Sequence, residues 1–401
     1  EEETEIREIP EELKSSPPPI PEAAVESPGK PDDEREGETT EEEMARRRYS
    51  LPLIGRGDIL TKLTGLVEDA ARAASGQIVL LEGESGLGKS RVVRALANDL
   101  EDSGIDATIG HFRRRSLPME ALREALASFW NVAHSERVEV DRVIREDLQS
   151  IGGFTEPEID FIVDFVRPKA IDETQMPQTS EESGALFAKL EHLLLRLAER
   201  RPLTIILEDV QYSDSATLSF LEYLAVTLRT QSAPVVVMMT LRPEERALNG
   251  DLEQSLREMS ANIGVGFTRV PLSRLRGRDL AVLLDTIAPL EPRLKERVGW
   301  LSQGVPLHAI QIIRYLRNEG KLVREGERWE LAEGSPREIN LPPDLMDLMR
   351  LRLDQAIDAY DGQVDLRLLL EWIAVLGMRT PVELLVSVLA ESGEVEVEHL
   401  D

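Results

Sequence analysis

The sequence predicts an α/β fold, a parallel sheet of five core strands covered by helices, and three observations carry that expectation. From Leu51 onward, short β-rich runs alternate with amphipathic segments, the rhythm of strands joined by helical crossovers. One run leads directly into a glycine-rich octet. Another ends in two adjacent carboxylates. Ligands of open parallel sheets collect at the carboxyl ends of the strands, so the octet and the acids belong on one edge.

The core strands are expected at 77–82, 106–112, 203–209, 234–241 and 266–272. Each is a compact, largely apolar run, as strands buried on both faces require. The interval 118–201 is long for a simple crossover and holds helix-like runs at 120–132, 138–150 and 184–199, which predicts an inserted helical subdomain over about 118–200. After Leu272 the character is helical, at 279–287 and 307–317. A hairpin candidate follows around Gly326, between Leu322-Val323 and Trp329-Glu330-Leu331. Segments 342–357, 364–376 and 381–389 read as further helices. The chain thus divides into an acidic linker (1–49), a nucleotide-binding domain (50–273), a helical lid with its hairpin (274–340) and a last helical domain (341–401) truncated at its end.

Residues 1–49 are rich in Glu, Pro and Ser, with Pro17-Pro18-Pro19 and Glu41-Glu42-Glu43, and show no apolar period that could offset ordering entropy. They read as a disordered linker behind a preceding domain, or as a free acidic tail. Residues 1–45 hold 17 acids against 4 bases, a large share of the net charge of −28. Such acidity argues against nucleic-acid backbones and anionic membrane surfaces as partners. The chain has no cysteine, which excludes disulfides, thiolate zinc sites and thiol nucleophiles. The longest apolar stretches, 78–81 and 235–239, are strand-sized, far from the ~20 residues of a membrane helix. No basic start precedes an apolar run, so no secretory signal is read, and a cytoplasmic location is expected. Glutamate at position 1 suggests a piece of a longer protein.

Gly83-Glu84-Ser85-Gly86-Leu87-Gly88-Lys89-Ser90 fits G-x-x-x-x-G-K-[ST] at every fixed position, after a strand and opening a helix that includes Arg91. Glycines let the loop wrap closely enough for backbone N–H groups to face phosphates, and the helix N-terminus adds its positive end. Lys89 would pair with β and γ oxygens, and the Ser90 hydroxyl would sit on Mg2+. The strand 204–207 then delivers Glu208 and Asp209. One carboxylate can hold the metal and the other can orient the attacking water; register gives Glu208 the metal position, and the two roles are open to exchange. The next strand ends in Thr240-Leu241-Arg242-Pro243, placing Arg242 where it could sense a γ-phosphate.

These residues resemble the STAND class of AAA+-related signal-transduction ATPases, in the branch found in bacterial kinases, cyclases and LuxR-like transcription regulators. Leu53-Ile54-Gly55-Arg56 is similar to that family's hydrophobic-Gly-Arg box ahead of the P-loop, with Gly57 where glutamate is usual; the resemblance implies adenine near Ile54, Gly55 and Arg56. The segment 207–214 is similar to the family's acid-Asp-x-His-Trp-Ala-Asp stretch, with Gln211, Tyr212 and Ser213 as departures. Gly304-Val305-Pro306 is similar to the Gly-x-Pro motif of the lid, which implies Pro306 against base or sugar. Residues 342–389 resemble a winged-helix domain. The family implies a P-loop NTPase, AAA+-like sheet with helical lid and winged helix, bound ATP or ADP with Mg2+, slow hydrolysis, and a switch that self-associates in the ATP state. An N-terminal effector and C-terminal repeats would lie outside this sequence.

Two other classes use related cores. A winged-helix DNA-binding initiator would need bases on its reading helix, but 381–389 has Glu383 as its only charged residue. A remodelling motor would need a pore loop and arginine finger, neither of which is identifiable. Arg56-Gly57-Asp58 is explained by the arginine box rather than by cell attachment, and Arg46-Arg47-Arg48 by a solvated linker end. Arg113-Arg114-Arg115 could reach a neighbouring subunit's nucleotide. The histidines, at 111, 134, 192, 308 and 399, show no metal-ligand spacing.

Overall fold

The computed structural model describes residues 52–114, 117–168, 180–336, 339, 345–358 and 366–376. Five parallel strands form the central sheet: β1 Gln77–Glu82, β2 Asp106–His111, β3 Leu203–Glu208, β4 Val235–Leu241 and β5 Phe267–Pro271, in the order β2-β3-β4-β1-β5. All residues of β3 and β4 are buried, which is why their sequences are nearly unbroken apolar runs. The chain leaves β1, passes over β4 and β3 to build β2 at the far edge, and finally returns across β1 to place β5. Reversal of the winding at β1 makes its carboxyl end the crevice of the sheet. Register aligns the ends: Glu82 pairs with Leu241 and with Pro271, and His111 with Glu208.

Side chains alternate across the sheet and feed two cores. Val79, Leu81, Ile206, Val236 and Met238 pack with α1 (Gly57–Ala73) and α2 (Lys89–Asp102). Ile78, Leu80, Ile205, Leu207, Val237 and Met239 pack on the opposite side. That core is completed by α3 (Glu120–Phe129), α4 (Arg137–Ile151), α5 (Glu156–Val166), α6 (Ser180–Arg200), α7 (Ser215–Thr230) and α8 (Leu252–Ile263). The block α3 to α6 lies between β2 and β3, in the interval where the sequence predicts inserted helices. Helix α5 is not among the predicted ones, although Thr155 and Glu158 form a reciprocal capping box at its start. The β2–α3 contact is unusually close. A Cβ on Gly110 would lie 1.9 Å from the Ala121 carbonyl oxygen, and Thr108 Oγ1 donates to the Ala125 carbonyl.

A third core joins α9 (Gly277–Ile287), α10 (Pro292–Ser302) and α11 (Pro306–Asn318) to the antiparallel hairpin β6 (Leu322–Glu325) and β7 (Arg328–Leu331). Gly326 turns the hairpin with φ +63°, in agreement with the sequence pattern. Helix α10 is a further addition to the predicted elements; proline at its first position and the Glu291 carboxylate accepting the Leu294 N–H mark its start. Helices α12 (Leu345–Asp358) and α13 (Leu366–Leu376) follow. The expected helix at 381–389 lies outside the described residues, as do 359–365 of the winged-helix-like segment and the linker 1–49. No helix among the described residues is long and apolar enough to cross a membrane.

Candidate functional site

The octet runs from the end of β1 into α2. Gly83 N–H donates to Leu241 O at 3.1 Å, continuing the β1–β4 ladder for one residue. The backbone then wraps through left-handed Gly86 and Gly88, with φ +78° and +94°. Nothing lies within 4 Å of where a Cβ on Gly88 would sit, so it is the left-handed φ rather than crowding that calls for glycine there. Leu87 is buried against α2 and anchors the loop to the core. Lys89 is 6% exposed and donates Nζ to Gly83 O at 2.6 Å and Glu84 O at 3.1 Å. Burial and the Arg242 charge push its pKa down, while Asp209, Glu244 and Glu208 oppose the shift. The loop thus folds a buried cation onto its own carbonyls at the N-terminus of α2, a combination suited to phosphate oxygens.

Glu208 ends β3 and is 2% exposed. Burial alone would raise its pKa, but hydrogen bonds from His111 and Ser90 hold it below the usual carboxylate range. His111 Nε2 stands 3.4 Å from Glu208 Oε1, a long contact that leaves this buried oxygen without a close donor among the described residues. An under-satisfied buried carboxylate oxygen beside the Ser90 hydroxyl fits a hydrated Mg2+ shared with phosphate. No group of three or more His, Asp or Glu among the described residues could hold a metal by itself.

Asp209 lies one residue past the strand in the left-handed region, φ +62°, a sparsely populated conformation for a non-glycine residue. Three contacts hold it there. Its N–H donates to Thr240 Oγ1 at 2.9 Å, its Oδ2 accepts from Arg242 at 2.8 Å, and its Oδ1 accepts from Gln211 at 3.1 Å. Gln211, 1% exposed, also accepts the Arg242 N–H at 3.2 Å. Arg242 is 3.4 Å from Glu245, which takes the Tyr212 hydroxyl proton in a hydrogen bond. Arg242 therefore reaches the edge expected for it, held between two carboxylates.

His111 has no metal-ligand spacing in the sequence, yet β2–β3 register delivers it to Glu208. Its other ring nitrogen is 3.3 Å from Glu124, which Arg113 contacts at 3.0 Å. Burial would lower the imidazole pKa, but the two carboxylates win and raise it to about 9. Burial likewise opposes ionisation of Glu124, and His111 with Arg113 brings it down to about 2. Arg113 is thus engaged within this chain, and Arg114 stacks on Tyr212 at 5.6 Å.

The lid segment meets the loop directly. Leu307 N–H, in the first turn of α11, donates to Gly86 O at 3.2 Å, and Val305 packs in the same core as Leu87. Pro306 opens that helix. Arg274 joins Glu84, at 3.0 Å, to Gln303, at 2.9 Å. Gly304, φ +79°, lets Leu275 N–H reach its carbonyl at 2.8 Å, and a Cβ there would fall 2.2 Å from Leu275 O. Upstream, Arg56 is 6% exposed and donates to Ser273 O at 2.8 Å and Leu87 O at 3.1 Å. Gly55 lies against the Asp279 side chain and Ile54 is half-buried. Arg91 donates to Pro52 O at 3.1 Å.

The structure thus gathers the phosphate loop, Glu208, Asp209 and Arg242 on one sheet edge, with the lid motif on the loop and Ile54–Arg56 at its flank. Sequence reasoning missed His111, Gln211, Glu244, Glu245 and Arg274. Of these only Gln211 sat in a motif, as a departure from it.

The AAA ATPase domain family matches residues 52–238. A Walker-type ATPase of Pyrococcus abyssi is 16% identical, with 87% of each chain covered and a TM-score of 0.42. The ORC1 protein of Aeropyrum pernix, solved in complex with DNA, is 14% identical over 87% of this chain and 81% of its own, TM-score 0.40. RuvB of Thermotoga maritima is 15% identical over 86% and 84%, TM-score 0.36. No curated protein matches the chain. Residues 52–238, which hold the glycine-rich loop after β1 and the paired carboxylates at the end of β3, are thus similar to an AAA ATPase domain.

Proposed function

We propose that this chain is the nucleotide switch of a multidomain signalling ATPase of the STAND type, binding ATP or ADP with Mg2+, hydrolysing slowly and self-associating in the ATP state. The observation that carries the reading is the bond from the lid, Leu307 N–H, to the loop carbonyl of Gly86. A ligand in the loop acts on the same backbone that anchors α11, so nucleotide state and lid position are mechanically joined. Backbone amides of 84–90 and Lys89 would hold the phosphates, with adenine toward Ile54–Arg56 and Pro306 near base or sugar. Ser90 and Glu208 would hold Mg2+, which when bound screens phosphate charge. Asp209 is the base candidate, and slow turnover follows from its engagement: Arg242 and Gln211 occupy its two oxygens, leaving water poorly oriented until that pairing is exchanged. In this reading Arg242 exchanges Asp209 for a γ-phosphate.

The test is to denature the purified chain and chromatograph what it releases. ADP retained without added nucleotide, absent from Lys89→Ala, is the expected result. Mass photometry should then show a monomer with ADP and association with a non-hydrolysable ATP analogue. An empty protein that turns over ATP rapidly as a stable ring would replace the switch with a motor, and binding of neither nucleotide would end the reading.

A further inference from the structure

We propose that Glu244 is an internal competitor for the phosphate loop, an autoinhibitory carboxylate that nucleotide phosphates must displace. This rests on the reading of residues 83–90 as the phosphate site. Ser85 N–H, in the middle of the octet, donates to Glu244 Oε1 at 2.6 Å. A backbone N–H close to a buried ammonium favours an anion, and Glu244, whose charge also acts on Lys89, supplies one from 159 residues away in sequence.

The carboxylate is presented by a short built structure. Pro243 opens the 3-10 turn Pro243–Leu248 with its fixed φ, and Glu245 N–H closes onto Arg242 O at 3.0 Å. Three successive side chains of the turn then reach three walls of the site. Glu244 takes the phosphate loop, Glu245 takes Tyr212 and Arg242 at the β3–β4 edge, and Arg246 takes Glu82 at the end of β1 at 2.7 Å. Displacing Glu244 therefore acts on the same turn that keeps Arg242 on Asp209, so phosphate arrival and release of the base candidate are joined. A di- or triphosphate carries more charge and more acceptor oxygens than one carboxylate, so it wins the competition at a reduced apparent affinity.

The experiment is isothermal titration of the whole chain and of Glu244→Gln with ADP and with pyrophosphate, whose binding reports on the loop without the base. Glutamine keeps the size of the side chain and removes its charge. A charge-assisted hydrogen bond of this kind, exposed to solvent, is worth about a tenfold change in affinity, so Glu244→Gln should bind both probes about tenfold more tightly. Glu244→Asp, with the charge kept and its reach shortened, should fall between the two. Equal or weaker binding by Glu244→Gln, with the parent chain binding normally, overturns this inference and leaves the phosphate-loop reading standing. If neither protein binds ADP or pyrophosphate, the phosphate-loop reading fails and the inference with it.

Discussion

The two halves of the site are made of different materials. At the end of β1 the loop is backbone: glycine conformations, amide donors and one buried lysine folded onto its own carbonyls. At the ends of β3 and β4 the site is side chain: Asp209, Arg242, Glu245, Gln211 and Tyr212, satisfied mostly by one another, with Glu208 against His111. A backbone cradle is preorganised, because its dipoles keep their direction whichever anion they meet. An ion-pair network can exchange partners at modest cost, because each group released finds another nearby. Affinity should therefore reside in the first half and responsiveness in the second.

The largest effect expected from this contrast is on binding. Lys89→Ala removes the cation at the centre of the cradle, and nucleotide affinity should fall on the order of 100-fold; a loss below tenfold, read by titration with ADP, would break the comparison. Arg242→Ala should do the opposite. With Arg242 gone, Asp209 and Glu245 lose their shared cation, and thermal unfolding without nucleotide should show a destabilisation of about 1–2 kcal/mol, while the ADP dissociation constant stays within about threefold. A large affinity loss in Arg242→Ala would mean the side-chain half also binds.

The smallest effect concerns the wing of the network at Glu124. Its folded pKa, about 2, lies below the unfolded value, so its contribution to stability is present above about pH 4.5 and is lost as pH falls toward 2. Glu124→Gln should be less stable than the parent chain by about 1–2 kcal/mol at pH 7, and the gap should close progressively below pH 4. A gap that stays unchanged down to pH 2 would show that packing, not charge, holds Glu124.

What the sequence makes legible divides along the same line. The octet is contiguous and its geometry is local, so its glycines, Lys89 and Ser90 are recognisable from the order of residues alone. Strands β3 and β4 are readable within a residue or two because burial on both faces leaves little but apolar side chains. The network is not readable, because its members come from distant segments: Gln211 and Arg242 are 31 apart, and Arg274 and Glu84 are 190 apart. Gln211 and Tyr212 look like losses against a family pattern, yet the fold makes them partners of Asp209, Arg242 and Glu245. Helix α5 escapes notice although Thr155 and Glu158 announce it; with Ile159, Ile162, Val163, Phe165 and Val166 all buried, its apolar face is too broad to stand out as a stripe.

The contact between Gly110 and Ala121 bears on what this molecule can tolerate as it diverges. Position 110 is neither a turn nor a ligand-binding residue, and its backbone is ordinary strand. Even so, a helix carbonyl fills the volume that any Cβ would need, and the next residue, His111, is the one that touches Glu208. A substitution there would lift α3 from β2 and tilt the strand end that faces the acids. Position 110 is therefore one where drift in the scaffold becomes drift in the chemistry, and where alanine, conservative almost anywhere else, is not.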